Sequence, residues 1–311
     1  MTPALNTFAG NPLNRSSNER RDRAWLEAAL ADPDARYLAF RNLDPLVSGA
    51  EASPRLAWRS RDALPTVEES PVLLGVHEGT PHLAVDVSAA EPSTLEVLAG
   101  DDEFMGARDA GAALPQAETG ILAQARSMLD WHARNGFCAT CGGETTPRLG
   151  GDMRRCAACG ADHFPRVNPV VIVLVARGDR ALLANPTARR APMYTCVAGF
   201  MEPGENIEEA VRREVFEETG VRVGAVRYHS TQPWPFPSSL MIGCHADAAS
   251  AEIEVDHDEI GDAQWFTRDD VRVALASAGD GAGPAPEVGF GVPPPFTIAH
   301  QLIRAWVEAG E

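Results

Sequence analysis

The sequence predicts an α/β chain in three parts: a small sheet-rich N-terminal module, a four-cysteine insert, and a larger domain of strands and helices around a buried central strand. Three observations predict it. Val170-Val-Ile-Val-Leu-Val175 is a nearly unbroken aliphatic run, as expected of a strand buried on both faces. Cys138-Ala-Thr-Cys141 and Cys156-Ala-Ala-Cys159 form two paired-cysteine knuckles in mid-chain. Over residues 199–221 a Gly-punctuated loop runs into a helix whose core-facing stripe turns acidic halfway along.

A length of 311 residues suits about two domains plus a small insert, and 44% hydrophobic content is ample for folded cores. The expected divisions are an N-terminal domain over 1–120, a linker helix over 121–134, the cysteine insert over 135–164 and the larger domain over 165–311. Residues up to about 15 are expected to be loose, and residues 20–31, with Trp25, Leu26 and Leu30, read as a helix. Short β-like segments at 37–40, 56–58, 72–76 and 82–87 are separated by Pro, Gly and charged turns. No catalytic constellation occurs among them. Ile121, Leu122, Ala125, Met128, Leu129 and His132 then repeat at helical spacing.

Beyond the cysteines, strands are predicted at 169–176, 181–184, 194–198, 221–228, 240–246 and 264–267. A helix over 269–277 begins with an acidic first turn. Residues 278–295, rich in Gly, Ala and Pro, read as a mobile loop or a lid. The last helix, 297–309, places Ile298, Leu302 and Trp306 on one face.

The two cysteine knuckles are separated by fourteen residues, and each is followed by a glycine, Gly142 or Gly160, that permits a tight turn. That spacing fits four thiolates around a tetrahedral, structural zinc in a zinc ribbon, with redox CxxC pairs as the competing reading. Cys196 and Cys244 are left over and read as buried thiols.

On the helix that follows the loop, Ile207, Ala210 and Val211 define the inward stripe, with Glu214 and Glu218 at its centre and Glu217 on its flank. Like charges at i, i+4, near the negative helix end and pointing towards protein, are unfavourable unless cations relieve them. Clustered hard oxygens suit Mg²⁺ or Mn²⁺. A solvated acidic helix is the plainer alternative.

These residues carry a resemblance to the Nudix hydrolase box, G-x5-E-x7-R-E-U-x-E-E-x-G-U. Gly199, Glu205, Arg213, Glu214, Val215, Glu217, Glu218, Gly220 and Val221 match every fixed or restricted position. The resemblance implies an α/β/α sandwich that hydrolyses a nucleoside diphosphate linked to another group. It assigns Glu214, Glu217 and Glu218 as metal ligands and gives Glu205 and Arg213 a structural role. Gly220 also stands where a left-handed helix C-cap would use it. Glu218 is the candidate for the residue that accepts the water proton.

Downstream, Thr231-Gln-Pro-Trp-Pro-Phe-Pro237 has three alternating prolines, which exclude a helix or a central strand. On local physics it is either an extended, stiff segment over 233–237 or a rigid turn packed by two aromatics. It resembles the SQPWPFP segment of the NADH pyrophosphatase, or NudC-type, family, whose members also remove NAD caps from RNA. Thr231 replaces the leading Ser, keeping a hydroxyl. The likeness extends over most of the chain and implies NAD(H) diphosphatase activity. It adds Glu259 to the metal site, with Asp258 its nearest competitor, and stacks a base between Phe200 and Phe164, the latter usually Tyr in the family. Gln232, Trp234, Phe236 and Ala299 become expected substrate contacts, and a homodimer is implied.

A net charge of −17 argues against strong non-specific nucleic-acid affinity but leaves room for an RNA end in a local site. The first ten residues lack the pattern of a signal peptide, no apolar stretch reaches membrane length, and paired cysteines reserved for zinc suit a reducing cytoplasm. Two other readings stay open: a Nudix hydrolase of ADP-ribose or a diadenosine polyphosphate, and a catalytically silent NAD-binding regulator.

Overall fold

The structure, a computed structural model, describes residues 5–49, 53–67, 70–186, 192–278 and 285–310. The chain divides into two units, Met1–Val167 with Pro233–Ser238, and Asn168–Gln232 with Ser239–Glu311.

In the first unit, helix α1 (Arg23–Ala31) starts at Asp22, whose carboxylate accepts from the backbone N–H groups of Ala24 and Trp25. The strands are β1 (Arg36–Arg41), β2 (Asp44–Ser48), β3 (Arg55–Leu56), β4 (Trp58–Arg59), β5 (Val72–His77), β6 (Thr80–Asp86) and β7 (Glu103–Phe104). They form one seven-stranded sheet in the order β3-β2-β1-β6-β5, with β4 on β1 and β7 on β2. β1 contributes to two core clusters: Ala39 packs with Leu46, Val85 and Leu95, and Tyr37 with Leu73 and Leu83. Helices α2 (Pro92–Ala99), α3 (Ala107–Ala113) and α4 (Gln116–Arg134) complete this part.

Several expectations need correction here. The strand expected over 56–58 is two short strands that pair with different neighbours, because Ala57 donates its N–H to Leu46 O between them. Residues 5–15 are not loose. Phe8 is 2% exposed and donates its N–H to Thr119 Oγ1, and Asn14 bridges to Val76. The linker helix begins earlier than expected, at Gln116.

The cysteine insert folds as a three-stranded sheet, β8 (Thr145–Arg148), β9 (Met153–Cys156) and β10 (Asp162–His163), in the order β10-β9-β8. His132 of α4 ties into it. Its Nε2–H donates to Gly151 O at 2.8 Å, and its Nδ1 accepts from Arg154 Nη1 at 3.0 Å.

The second unit is built on β11 (Asn168–Arg177), with β12 (Arg180–Pro186), β13 (Val197–Phe200), β14 (Val223–Trp234), β15 (Ser239–Ala248) and β16 (Ile260–Thr267). The sheet order is β14-β15-β11-β12-β16, with β13 also on β11. It is mixed: β15 runs parallel to β11, and β12 and β13 run antiparallel to it. Val171, Val173 and Val175 face the core under α5 (Ile207–Thr219), while Ile172 and Leu174 face α6 (Arg268–Ser277) and α7 (Ile298–Glu308). Helices on both faces make the α/β/α sandwich.

Residues 279–284 of the expected loop or lid lie outside the described residues. The rest is packed rather than open. Phe290, 3% exposed, and Val292, 4% exposed, belong to the α6–α7 core, where Phe290 meets the rings of Tyr194 and Phe266.

Candidate active site and structural zinc centre

Helix α5 is set at both ends. Asn206 accepts from Glu209 N at 2.8 Å while the Glu209 carboxylate accepts from Asn206 N at 2.9 Å, a reciprocal cap that pairs two N–H groups at the helix start. Gly220 ends the helix in the left-handed region at φ 67° and donates its N–H to Phe216 O. Between them Ala210, Val211 and Val215 are buried, and so are Glu214 and Glu218, each 8% exposed.

The loop before α5 is held by one side chain. The Arg213 guanidinium donates to Glu205 at 2.6 and 2.9 Å, to Phe200 O at 2.9 Å, to Glu214 at 2.9 Å and to Glu217 at 3.0 Å. Glu205 also accepts from Glu202 N at 2.9 Å, and the fork from Arg213 draws its pKa down to about 2. The pKa of Arg213 is raised in return, mainly by Glu205. Gly199 of β13 has to be glycine, because an added Cβ would lie 2.0 Å from the Glu214 carboxyl group.

Glu218 differs from its neighbours. No protein donor reaches its carboxylate among the described residues, and burial, together with the charges of Glu214 and Glu259, pushes its pKa up to about 7. Burial also raises Glu214, against the pull of Arg213. Glu259 is exposed on the turn before β16, and its charge acts on both Glu214 and Glu218. Asp258, on the same turn, donates its N–H back to Asp256. Among the described residues no three carboxylates here lie within 4.8 Å of one another, so the chain brings the ligand type a divalent cation takes to one region without closing the set.

In the ribbon the four thiols of Cys138, Cys141, Cys156 and Cys159 lie within 4.8 Å of one another. Sulfurs about 3.8 Å apart are expected around zinc bound at about 2.3 Å. The Cys138–Cys159 and Cys141–Cys156 sulfurs stand 3.7 and 3.5 Å apart. The residues fit a tetrahedral structural zinc. Cys196 and Cys244 are buried thiols away from it, with raised pKa values caused by burial.

The residues expected to meet substrate fall into two kinds. Phe200 and Phe164 are each 61% exposed, one in each unit, so both rings are open to stacking. Gln232 is fully buried: its Nε2 donates to Phe296 O and its Oε1 accepts from Ile298 N, each at 2.8 Å. Ala299 is 5% exposed within the α6–α7 core. Trp234 ends β14, and residues 235–238 form a turn, so the fully extended segment over 233–237 is corrected to the alternative, a turn packed by two aromatics. The Asn206 cap was not identified beforehand, although Asn three residues before Glu ahead of an apolar stripe is its local signal.

Known families match the chain in three stretches. The NADH pyrophosphatase-like rudimentary NUDIX domain matches residues 34–131, the NADH pyrophosphatase zinc ribbon domain residues 133–164, and the NUDIX domain residues 165–285. The chain is similar to the NAD-capped RNA hydrolase NUDT12 of Macaca fascicularis, 39% identical over 97% of this chain and 73% of that one. It is similar also to the NAD-capped RNA hydrolase NudC of Mycobacterium bovis, 39% identical over 94% of this chain and 90% of that one. The mitochondrial NAD(P)H pyrophosphatase NUDT13 of Homo sapiens is 37% identical over 72% of this chain and 64% of its own.

Proposed function

Since the chain belongs to the Nudix hydrolase family, in its NADH pyrophosphatase branch, we propose that it hydrolyses the diphosphate of NADH or NAD to nicotinamide mononucleotide and AMP and removes NAD caps from RNA 5′ ends. The observation that carries this reading is the burial of Glu214 and Glu218 on one helix face within the electrostatic reach of Glu259, a burial of charge that bound cations would offset. Bound Mg²⁺ or Mn²⁺ would neutralise phosphoryl oxygens and supply a hydroxide-like nucleophile. Glu214, Glu217, Glu218 and Glu259 hold the ions. Glu218, buried without a protein donor among the described residues, is the candidate that also accepts the proton of the attacking water. Phe200 and Phe164 offer their exposed rings to a base. Among the described residues no helix is long and apolar enough to cross a membrane. Ribbon thiols that must stay reduced for zinc support a cytoplasmic place, and a homodimer is part of the same reading.

The test is hydrolysis of NADH, NAD, ADP-ribose, a diadenosine polyphosphate and an NAD-capped transcript in H₂¹⁸O, with mass analysis of both products. Labelled nicotinamide mononucleotide or AMP, with NADH or capped RNA preferred, is expected. Absence of product from every dinucleotide in Mg²⁺ and Mn²⁺ would leave a silent NAD-binding regulator as the better reading.

A further inference from the structure

Burial divides the four ribbon sulfurs into two pairs. Cys141 and Cys159 are exposed, whereas Cys138 and Cys156 are 4% and 1% exposed. Four thiolates outweigh the two positive charges of Zn²⁺, and hydrogen bonds to the sulfurs relieve the excess negative charge. Water can supply them to the exposed pair. The buried pair depends on protein donors, and the knuckle backbone provides some: Thr140 N–H reaches Cys138 Sγ at 3.4 Å and Cys159 N–H reaches Cys156 Sγ at 3.5 Å. Cys138 has one more, from a side chain outside both knuckles. His163 Nε2 lies 3.2 Å from Cys138 Sγ.

His163 stands on β10, just past the second knuckle, opposite Arg154 of β9. The neighbouring pair, Asp162 and Arg155, closes with a fork from the guanidinium to the carboxylate at 2.6 and 2.8 Å, so the short strand that carries the ring is held at its backbone and at its side chains. A thiolate on zinc has no proton to give, so the Nε2–H donates and Cys138 accepts. A nitrogen and a sulfur bound to one tetrahedral zinc, at about 2.0 and 2.3 Å, stand about 3.6 Å apart. The observed 3.2 Å is shorter, and four thiols already fill the tetrahedron. His163 is therefore the partner of a ligand and not a ligand itself.

We propose that His163 is an outer-shell partner of the zinc centre: it holds the Cys138 thiolate in place for the ion and sets how tightly the ribbon keeps its zinc. The bond ties the strand after the second knuckle to the first cysteine of the first knuckle, so it closes the ribbon across its two halves. Without it the first knuckle keeps only its own turn to hold Cys138, beside Cys141, which is already open to solvent. Loss of an outer-shell partner typically weakens metal binding about 10–100-fold.

The experiment is equilibrium zinc competition against chelators of graded strength, on the full chain as wild type, His163→Phe, His163→Gln and His163→Asn, with visible spectra of the cobalt(II)-loaded forms. The Gln amide reaches the place of the Nε2–H, and the shorter Asn amide does not. Zinc affinity is expected to fall about 10–100-fold in His163→Phe and His163→Asn and to stay within about threefold of wild type in His163→Gln. The cobalt bands should keep the position of a four-thiolate site in every variant. Alkylation of the zinc-loaded forms with N-ethylmaleimide, followed by peptide mass analysis, should label Cys138 faster relative to Cys156 in His163→Phe than in wild type. Unchanged affinity in His163→Phe, equal losses in His163→Gln and His163→Asn, or an unchanged labelling ratio would overturn the inference. So would cobalt bands that shift in His163→Phe, which would make His163 a ligand. If His163→Phe fails to fold, the Gln and Asn pair decides it by affinity. None of these readouts needs turnover, so a chain that hydrolyses no NADH would count against the diphosphatase reading alone.

Discussion

The four ribbon thiols lie within 4.8 Å of one another, whereas on α5 the Glu214 and Glu217 carboxylates are held by Arg213 and Glu218 is buried without a protein donor. The ribbon ligands sit on two tight knuckles of one small sheet, so the turns alone bring them together. The carboxylates come from one helix and a separate turn, and like charges keep them from closing up by themselves. A closed set of soft ligands serves folding, and an open set of hard ones leaves coordination positions for water and phosphate.

The contrast is sharpest when metal is removed. Stripping zinc with a strong chelator should unfold the ribbon, since structural zinc in isolated fingers contributes about 10 kcal/mol or more of folding free energy. Limited proteolysis within 135–164 would show it. Withholding Mg²⁺ and Mn²⁺ after desalting should stop turnover and leave the proteolysis pattern unchanged. Glu218→Gln is expected next in size, lowering kcat about 10²–10⁴-fold with the fold intact. Near-normal hydrolysis by this variant at saturating Mg²⁺ would remove Glu218 from the chemistry.

The two regions should also answer pH with opposite signs. Glu218, raised to about 7, binds more protons folded than unfolded, so without divalent ions its contribution to stability is present below about 4.5 and lost as pH rises towards 7. His132 is lowered to about 4 by burial, so its contribution is present above about 6.5 and lost as pH falls towards 4. Each amounts to at most about 3 kcal/mol. Thermal unfolding of zinc-loaded Glu218→Gln and His132→Gln against wild type, without added Mg²⁺ or Mn²⁺, from pH 4 to 8, should flatten the two slopes separately. A common slope in both variants would break the comparison.

Smaller effects test the frame of the site. Gly199→Ala places a methyl group inside the Glu214 carboxyl position, and a loss of about 1–3 kcal/mol with reduced kcat is expected. Asn206→Ala should cost about 1 kcal/mol in unfolding free energy and leave kcat nearly unchanged.

Much of this was legible in sequence where the cause is local. The β11 run, the cysteine knuckles, the inward stripe of α5 and the Gly220 cap each rest on neighbours within a few residues. What sequence left open depends on distant partners. Phe8 is ordered by Thr119 and by the rings of Trp234 and Phe236, and no spacing near Phe8 announces them. Phe290 and Val292 sit in a Gly- and Pro-rich stretch whose composition reads as open, yet Tyr194 and Phe266 bury them. Arg108 and Arg126 look like ordinary helix-surface cations until Phe236 is placed against them.

Strand β14 ends its sheet, so over twelve residues one side of its backbone has no neighbouring strand in that sheet among the described residues. Such a border invites a foreign strand to dock and grow a fibre. Pro233 lacks the N–H that docking would use, and the Arg227–Asp247 ion pair puts charge along the same margin. A proline within this strand is one of the features that work against self-templated aggregation.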